Sequence, residues 1–297
     1  MALSDWLLGK LRCPLGGDPL RFDGGALVAE RSGRRWPLAP EGIPDLLARS
    51  ADPGARAVEE ANAIFHDAHA ADYDLETARP DECYGDVART LDRLRETVSG
   101  PGEVLDAGCG SGIVLELLRS RFPRVAGADV SLGMLARCAR FHGDLVRASA
   151  ARLPFEDASF DGVTAYSLLH HLREPADGLR EFARVLRPGG FLYTDNDSNA
   201  AFHERFSWWL AMRRALKSAR SHSPEEVARE RLAEYHHGTG LDPESLRARL
   251  LGFGFATVEV VLSHPPRPDE FTRLLMELER HAPAPSLHYY FRLIAIR

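Results

Sequence analysis

The stretch Val104-Leu105-Asp106-Ala107-Gly108-Cys109-Gly110-Ser111-Gly112 limits what this chain can fold into more than any other. A short apolar run ends in a carboxylate, three glycines follow at alternate positions, and a helical apolar stripe (Ile113, Leu117, Leu118) begins directly after them. Glycine lacks a Cβ, so such a loop turns tightly and lets backbone come close to a ligand. A strand that feeds a helix through a loop of this kind opens an α/β sheet, in which ligands sit beyond the carboxyl ends of the strands, where strand order reverses.

The residues downstream continue the alternation. Strands are expected at Val104–Asp106, Val125–Asp129, Leu145–Ala148, Asp161–Tyr166 and Phe191–Asp195, with helices at Ile113–Arg121, Met134–Phe141 and Pro175–Leu186 between them. A helix from Pro243 to Leu251, capped by Asp242 and ended by Gly252, precedes two last strands at Ala256–Leu262 and Tyr289–Ile296. This pattern predicts a doubly wound, Rossmann-like α/β sheet with helices on both faces. Gly/Pro-rich residues 1–50 predict a small β-rich module, residues 51–100 a helical lid or linker, and 101–297 the main domain, with a helical cap inserted at 197–240.

The obvious ligand for a glycine loop is a dinucleotide, whose fingerprint G-x-G-x-x-G seats a pyrophosphate on the helix N-terminus. Ile113 stands where the third fingerprint glycine would be, and Asp106 places a carboxylate where a pyrophosphate would be repelled and a cation attracted. Asp129 closes the second expected strand about 20 residues later, at the distance where an acid accepts ribose hydroxyls. A phosphate-free, cationic nucleoside fits these residues.

On this loop, on Gly127-Ala128-Asp129-Val130-Ser131, on Ala148-Ser149-Ala150-Ala151-Arg152-Leu153-Pro154-Phe155, and on His170-His171 followed by Arg187-Pro188-Gly189-Gly190, the chain resembles the class I S-adenosylmethionine-dependent methyltransferases of type 11. The resemblance covers residues 65–195 well and the C-terminal third in outline. It implies a seven-stranded sheet, S-adenosylmethionine as cofactor, and a cofactor site of Asp106, Gly108, Gly110, Asp129, Val130, Met134, Ser149, Ala150 and Tyr166. Tyr73 would close the pocket from the N-terminal helices. Ser149 stands where many relatives carry an acid. Residues Leu11-Arg12-Cys13-Pro14, Trp36-Pro37-Leu38 and Gly42-Ile43-Pro44-Asp45-Leu46-Leu47 resemble a zinc-ribbon-like module that has lost its metal ligands, since Cys13 alone cannot supply the four that structural zinc needs. No metal site is expected.

Transfer of a methyl from a sulfonium to oxygen needs alignment of donor and acceptor and removal of the acceptor's proton, for which histidine is suited. At least one of His170 and His171 is expected to reach the sheet edge where the methyl sits; the base role goes to His170, with Asp195, ending the neighbouring strand, the acid that orients it. The acceptor is expected to be a small molecule of natural-product, quinone, lipid or sugar type, methylated on oxygen. Cap aromatics Phe202, Phe206, Trp208, Trp209 and Tyr235 either line an apolar acceptor pocket or form the cap's own core. Alternatives are a nucleic-acid or protein methyltransferase and a non-catalytic scaffold that keeps the fold. A net charge of −6 speaks against gripping nucleic acid through phosphates. Four scattered cysteines, no signal-peptide core and no long apolar run predict a cytoplasmic protein without a membrane span. Oligomeric state is not legible.

Overall fold

The computed structural model describes residues 3–71, 81–218, 232–233, 235–236, 238–265 and 268–297. Seven strands form one sheet in the order β6-β5-β4-β7-β8-β10-β9. They are β4 (Glu103–Ala107), β5 (Arg124–Asp129), β6 (Leu145–Arg147), β7 (Phe160–Tyr166), β8 (Leu186–Ser198), β9 (Thr257–Ser263) and β10 (Tyr290–Ile296). The first five pair in parallel, while β10 runs antiparallel to both β8 and β9. Chain order runs outward from β4 to β5 and β6 on one side and from β7 to β8 on the other, so the reversal falls between β4 and β7.

β4 is buried along its whole length. Its side chains alternate between two cores: Val104 joins Leu118, Val125 and Phe191, whereas Leu105 and Ala107 join Val146, Val163 and Leu192. A strand covered on both faces must be apolar throughout, which is why Asp106 stands out in it. All seven strands expected from the sequence form. β8 is the one whose start differs most, because Leu186 already pairs with Phe160 before Pro188-Gly189-Gly190 interrupts the ladder.

The N-terminal module contains α1 (Asp5–Lys10), capped by the Ser4 hydroxyl, and a three-stranded antiparallel sheet of β1 (Leu20–Asp23), β2 (Ala26–Ala29) and β3 (Arg35–Pro37). Gly24 and Gly25 join β1 to β2 with φ of 56° and 82°, the two-residue turn whose twist suits a hairpin. The helix adds to the β-rich module read from composition. Asp45 bridges Arg147 in parallel, with Leu46 N–H donating to Arg147 O at 3.0 Å and Arg147 N–H to Pro44 O at 2.9 Å, so this segment extends the main sheet past β6. On the other side Glu103 receives Lys10, Trp6, Arg124 and Arg187.

Helices α2 (Pro53–His69) and α3 (Asp81–Thr97) precede the sheet; α4 (Ile113–Arg119), α5 (Leu132–Cys138) and α6 (Pro175–Val185) alternate with its strands. After β8 come α7 (Ala200–Arg205), α8 (Ser207–Ser218), α9 (Pro243–Gly252) and α10 (Glu270–His281). The last of these has no counterpart among the sequence expectations. It joins a separate core in which Phe202, Phe206, Trp209 and Leu210 pack with Leu275, Leu287 and Tyr289. Trp209 stacks on Phe271 with ring centroids 4.6 Å apart.

Candidate functional site

The carboxyl ends of β4, β5, β6 and β7 converge on one cavity at the point of strand reversal. Asp106, Gly108 and Gly110 reach it from the β4 loop; Asp129, Val130 and the α5 residue Met134 from β5; Ser149, Ala150 and Tyr166 from the ends of β6 and β7. The structure therefore brings together every expected cofactor residue that it describes. Tyr73 lies outside the described residues.

Asp106 is 1 % exposed, and its Oδ1 accepts the Thr164 hydroxyl at 2.7 Å. Its Oδ2 is buried with no hydrogen-bond partner among the described residues. Burial, opposed by the Thr164 hydrogen bond and reinforced by the charge of Asp129, pushes its carboxyl up to about 7. Such an oxygen calls for a cationic donor. Gly108 and Gly110 hold φ of 69° and 51°. A Cβ on Gly108 would lie 2.6 Å from Leu168 Cδ1, whereas one on Gly110 would meet nothing within 4 Å, since Gly110 gives directly onto open space. The first glycine is required for packing and the second keeps room beside the backbone.

Asp129 accepts Ser131 N–H at 2.8 Å and Gly110 N–H at 2.9 Å, one on each oxygen, and burial raises its carboxyl. Each oxygen keeps a second lone pair for a hydroxyl. The Ser149 hydroxyl donates to Glu59 on α2, whose carboxyl is likewise raised by burial. Glu59 thus supplies an acid at the corner where the sequence showed only a serine. It belongs to a face of α2, with Ala55, Val58, Asn62 and His66, that lines the cavity. Their spacing is that of one helical stripe, a signal present in the sequence and missed because it mixes polar with apolar residues. Tyr84 of α3 lines the cavity too, its ring 6.5 Å from that of Tyr166.

The histidines fall differently from expectation. His170 is 6 % exposed and is not part of the cavity wall; His171 is. The pairing expected between His170 and Asp195 does not form. Asp197 Oδ1 instead accepts both the backbone N–H and Nδ1 of His170, at 3.0 and 2.8 Å. The reason is a bulge: Thr194 pairs with Leu293 and Asp197 with Phe291, leaving Asp195 and Asn196 opposite Arg292 alone. Asn196 takes up the extra length at φ 64°, and Ser167, which accepts its amide, sits at φ 56°. Asp195 is left accepting the Tyr193 hydroxyl at 2.6 Å and facing Arg292 at 3.3 Å. His171 Nδ1 meets the Ala233 carbonyl at 2.8 Å, and its ring lies between His170, with centroids 4.2 Å apart, and His66 at 5.2 Å. A carbonyl accepts only, so Nδ1 carries the proton and Nε2 the lone pair of the neutral ring.

Phe202, Phe206 and Trp209 belong to the separate core described above, Trp208 and Tyr235 are exposed, and none of the five lines the cavity. The carboxylates Asp106, Asp129 and Glu59, gathered at the strand ends and on α2, do line it. A pyrophosphate would meet all three, whereas a cationic nucleoside with ribose hydroxyls and an exocyclic amine would satisfy them.

Comparison with known proteins agrees. A family profile described as a methyltransferase domain matches residues 105–194. The demethylmenaquinone methyltransferase of Mycolicibacterium paratuberculosis is 36 % identical over 163 residues, covering 54 % of this chain and 70 % of that protein. The chain belongs to the class I S-adenosylmethionine-dependent methyltransferases. The enzyme of that name from Mycobacterium tuberculosis H37Rv is 41 % identical over 140 residues, 46 % of this chain; the match spans 59 % of that relative's length. Among solved structures, a chain of the complex between the Haloferax volcanii Trm112 methyltransferase activator and a methyltransferase aligns with a TM-score of 0.52 at 21 % identity, covering 78 % of this chain and 96 % of that one. It shares the methyltransferase fold. Among the described residues no helix is long and apolar enough to cross a membrane.

Proposed function

We propose that this chain transfers a methyl group from S-adenosylmethionine to a small molecule bearing an ionisable hydroxyl, of the kind a reduced quinone presents. The observation that carries the reading is the buried Asp106 Oδ2, without a hydrogen-bond partner among the described residues, in the same cavity wall as His171. Asp106 would hold the cationic amino end of the donor, Asp129 its ribose hydroxyls, and the Ser149–Glu59 corner the amino group of its adenine. Val130, Met134 and Ala150 offer apolar contact to the base, and Gly108 and Gly110 give close backbone approach. Tyr73 remains a candidate for closing the pocket, from the family resemblance alone. When bound, the donor supplies an electrophilic methyl on a sulfonium.

His171 takes the place first given to His170 as the base. The Ala233 carbonyl fixes its tautomer so that Nε2 can accept the acceptor's hydroxyl proton, and the His170–Asp197 pair backs its ring. Deprotonation makes the acceptor oxygen, and any aromatic carbon conjugated with it, nucleophilic; methylation of oxygen is the direct outcome. Asp195 acts as a strut between β8 and β10 through Arg292. The names of the mycobacterial relatives support a quinone-type acceptor over nucleic acid or protein.

The test is to measure binding of S-adenosylmethionine by calorimetry and then formation of S-adenosylhomocysteine with reduced naphthoquinones, locating the new methyl by NMR. Micromolar donor binding with quinol-dependent turnover is expected. Absence of donor binding overturns the reading and leaves a scaffold; donor binding without turnover on any quinol overturns the acceptor class.

A further inference from the structure

Far along the chain from the cofactor loop, three side chains from three elements meet without any role in the cavity just described. His264 follows directly on β9, His288 stands two residues before β10, and Glu279 lies in the last turns of α10. Each imidazole presents its Nε2 to a different oxygen of the one carboxylate: His264 to Oε2 at 2.9 Å and His288 to Oε1 at 2.7 Å. The rings are stacked, with centroids 4.7 Å apart and planes 28° from parallel. The histidine side chains are 11 % and 13 % exposed, and that of Glu279 is 32 % exposed.

Two features make this more than a surface ion pair. Both Nδ1 atoms are buried with no hydrogen-bond partner among the described residues, so among those residues the rings are held by their stacking and by what their Nε2 atoms face. The stacking also sets both Nε2 atoms on one carboxylate, so that a single ion could meet all three groups. Hydrogen bonding from His264, with the charge of His288, holds Glu279 below the usual carboxylate range and so anionic. Two imidazole nitrogens and one carboxylate oxygen, all within 4.8 Å of one another, are a three-ligand set for a transition-metal ion.

We propose that His264, Glu279 and His288 bind one divalent transition-metal ion of the zinc type, with water completing the shell on the exposed side of Glu279. Two imidazoles and one carboxylate select zinc and its first-row neighbours over calcium or magnesium, which prefer all-oxygen shells. As the bonds to metal form, each ring binds in its neutral form with its one proton on Nδ1, so that the Nε2 lone pair meets the ion and no imidazolate is made. None of the three residues lines the donor cavity, so the ion would sit apart from the methyl-transfer chemistry. It would clamp α10 to the ends of β9 and β10, beside Leu275, Leu287 and Tyr289 of the cap core.

The experiment uses the full chain, without a histidine tag and stripped with a chelator. Zinc is titrated in competition with a chromophoric chelator, and cobalt is added to a second sample to read its visible d–d bands. One tight equivalent of zinc, a rise in melting temperature and cobalt bands of a four- or five-coordinate nitrogen/oxygen site are expected. H264A, H288A and E279Q should each weaken zinc by more than the roughly 100-fold that outer-shell changes cost. They should leave S-adenosylmethionine binding intact, which reports folding and separates this idea from the methyl-transfer reading. Failure of the wild type to retain an equivalent of zinc overturns the proposal without recourse to variants; so does zinc affinity that survives in all three.

Discussion

Replacing Asp106 with Asn is expected to make the protein more stable at alkaline pH while removing its hold on the methyl donor. The ordinary carboxyl value of 3.8 is raised to about 7 in the folded chain, with burial the main cause. A raised carboxyl favours the fold when protonated, so its penalty is absent below the unfolded value, grows as pH climbs, and is complete above the folded value. At about 1.4 kcal/mol per unit, ionised Asp106 costs the fold up to about 4 kcal/mol at pH 8. Asn keeps the bond from Thr164 but buries an amide N–H group with nothing to accept it, which returns about 1–3 kcal/mol. A net gain of roughly 1–3 kcal/mol corresponds to a melting temperature higher by roughly 2–6 °C at pH 8. By pH 5 most of the penalty on the wild type is gone, and the order of the two proteins should reverse. In the wild type, affinity for the cationic donor should fall with the ionised fraction, about 5-fold from pH 7 to 6 and about 50-fold from pH 7 to 5. Scanning fluorimetry at the two pH values and calorimetric titration with S-adenosylmethionine read both effects. An Asn variant that melts lower at pH 8, or that binds the donor as the wild type does, refutes the claim that a buried charge is kept here for a cation.

Three further outcomes follow from other parts of the structure. H171A should lower turnover by about 10²–10⁴-fold with donor affinity nearly unchanged, the range for loss of a general base, and a turnover within a few-fold of wild type would remove His171 from the chemistry. Gly110→Ala places a methyl into open space at a φ that costs about 1 kcal/mol, so donor affinity should drop far more than the melting temperature; equal losses would mean the loop does not face the donor. Glu103, held at about 2 by hydrogen bonds from Lys10, Arg187, Arg124 and Trp6 that outweigh its burial, has a lowered value and so stabilises the fold above about 4.5, losing that stabilisation as pH falls through about 2. E103Q should lose roughly 2–3 kcal/mol at pH 7 and show a flatter acid denaturation curve, measured by urea melts from pH 7 to 2.

Much of this architecture could be read from residue order because strands and loop carry local signals: an apolar run, a carboxylate, and glycines at positions where φ is positive. The part of the cavity proposed for the donor inherits that legibility, since Asp106, Asp129 and Ser149 each stand at or just beyond the carboxyl end of a strand. The acceptor half does not. Asp195 and Asp197 are both within reach of a histidine in the turn after the neighbouring strand, and the choice between them rests on a one-residue bulge opposite Arg292 that only the antiparallel pairing with β10 reveals. Glu59 was hidden for a related reason, since a carboxylate on a helix normally faces solvent and only the packing of α2 over the strand ends turns it inward. The cap aromatics were ambiguous because burial in a private core and lining of a pocket demand the same side chains; Phe271 and Leu275 of the unforeseen α10 decide the matter.

The bridge from Asp45 to Arg147 gives the N-terminal fifty residues a standing of their own. A three-residue outer strand such as β6 would otherwise offer its open ladder to any passing chain, and the protein instead seals it with a piece of itself. Because the seal is tethered, its local concentration never dilutes, and it ends two residues before Ser149. Whatever loosens the front of the polypeptide therefore also loosens the wall against which an adenine would rest.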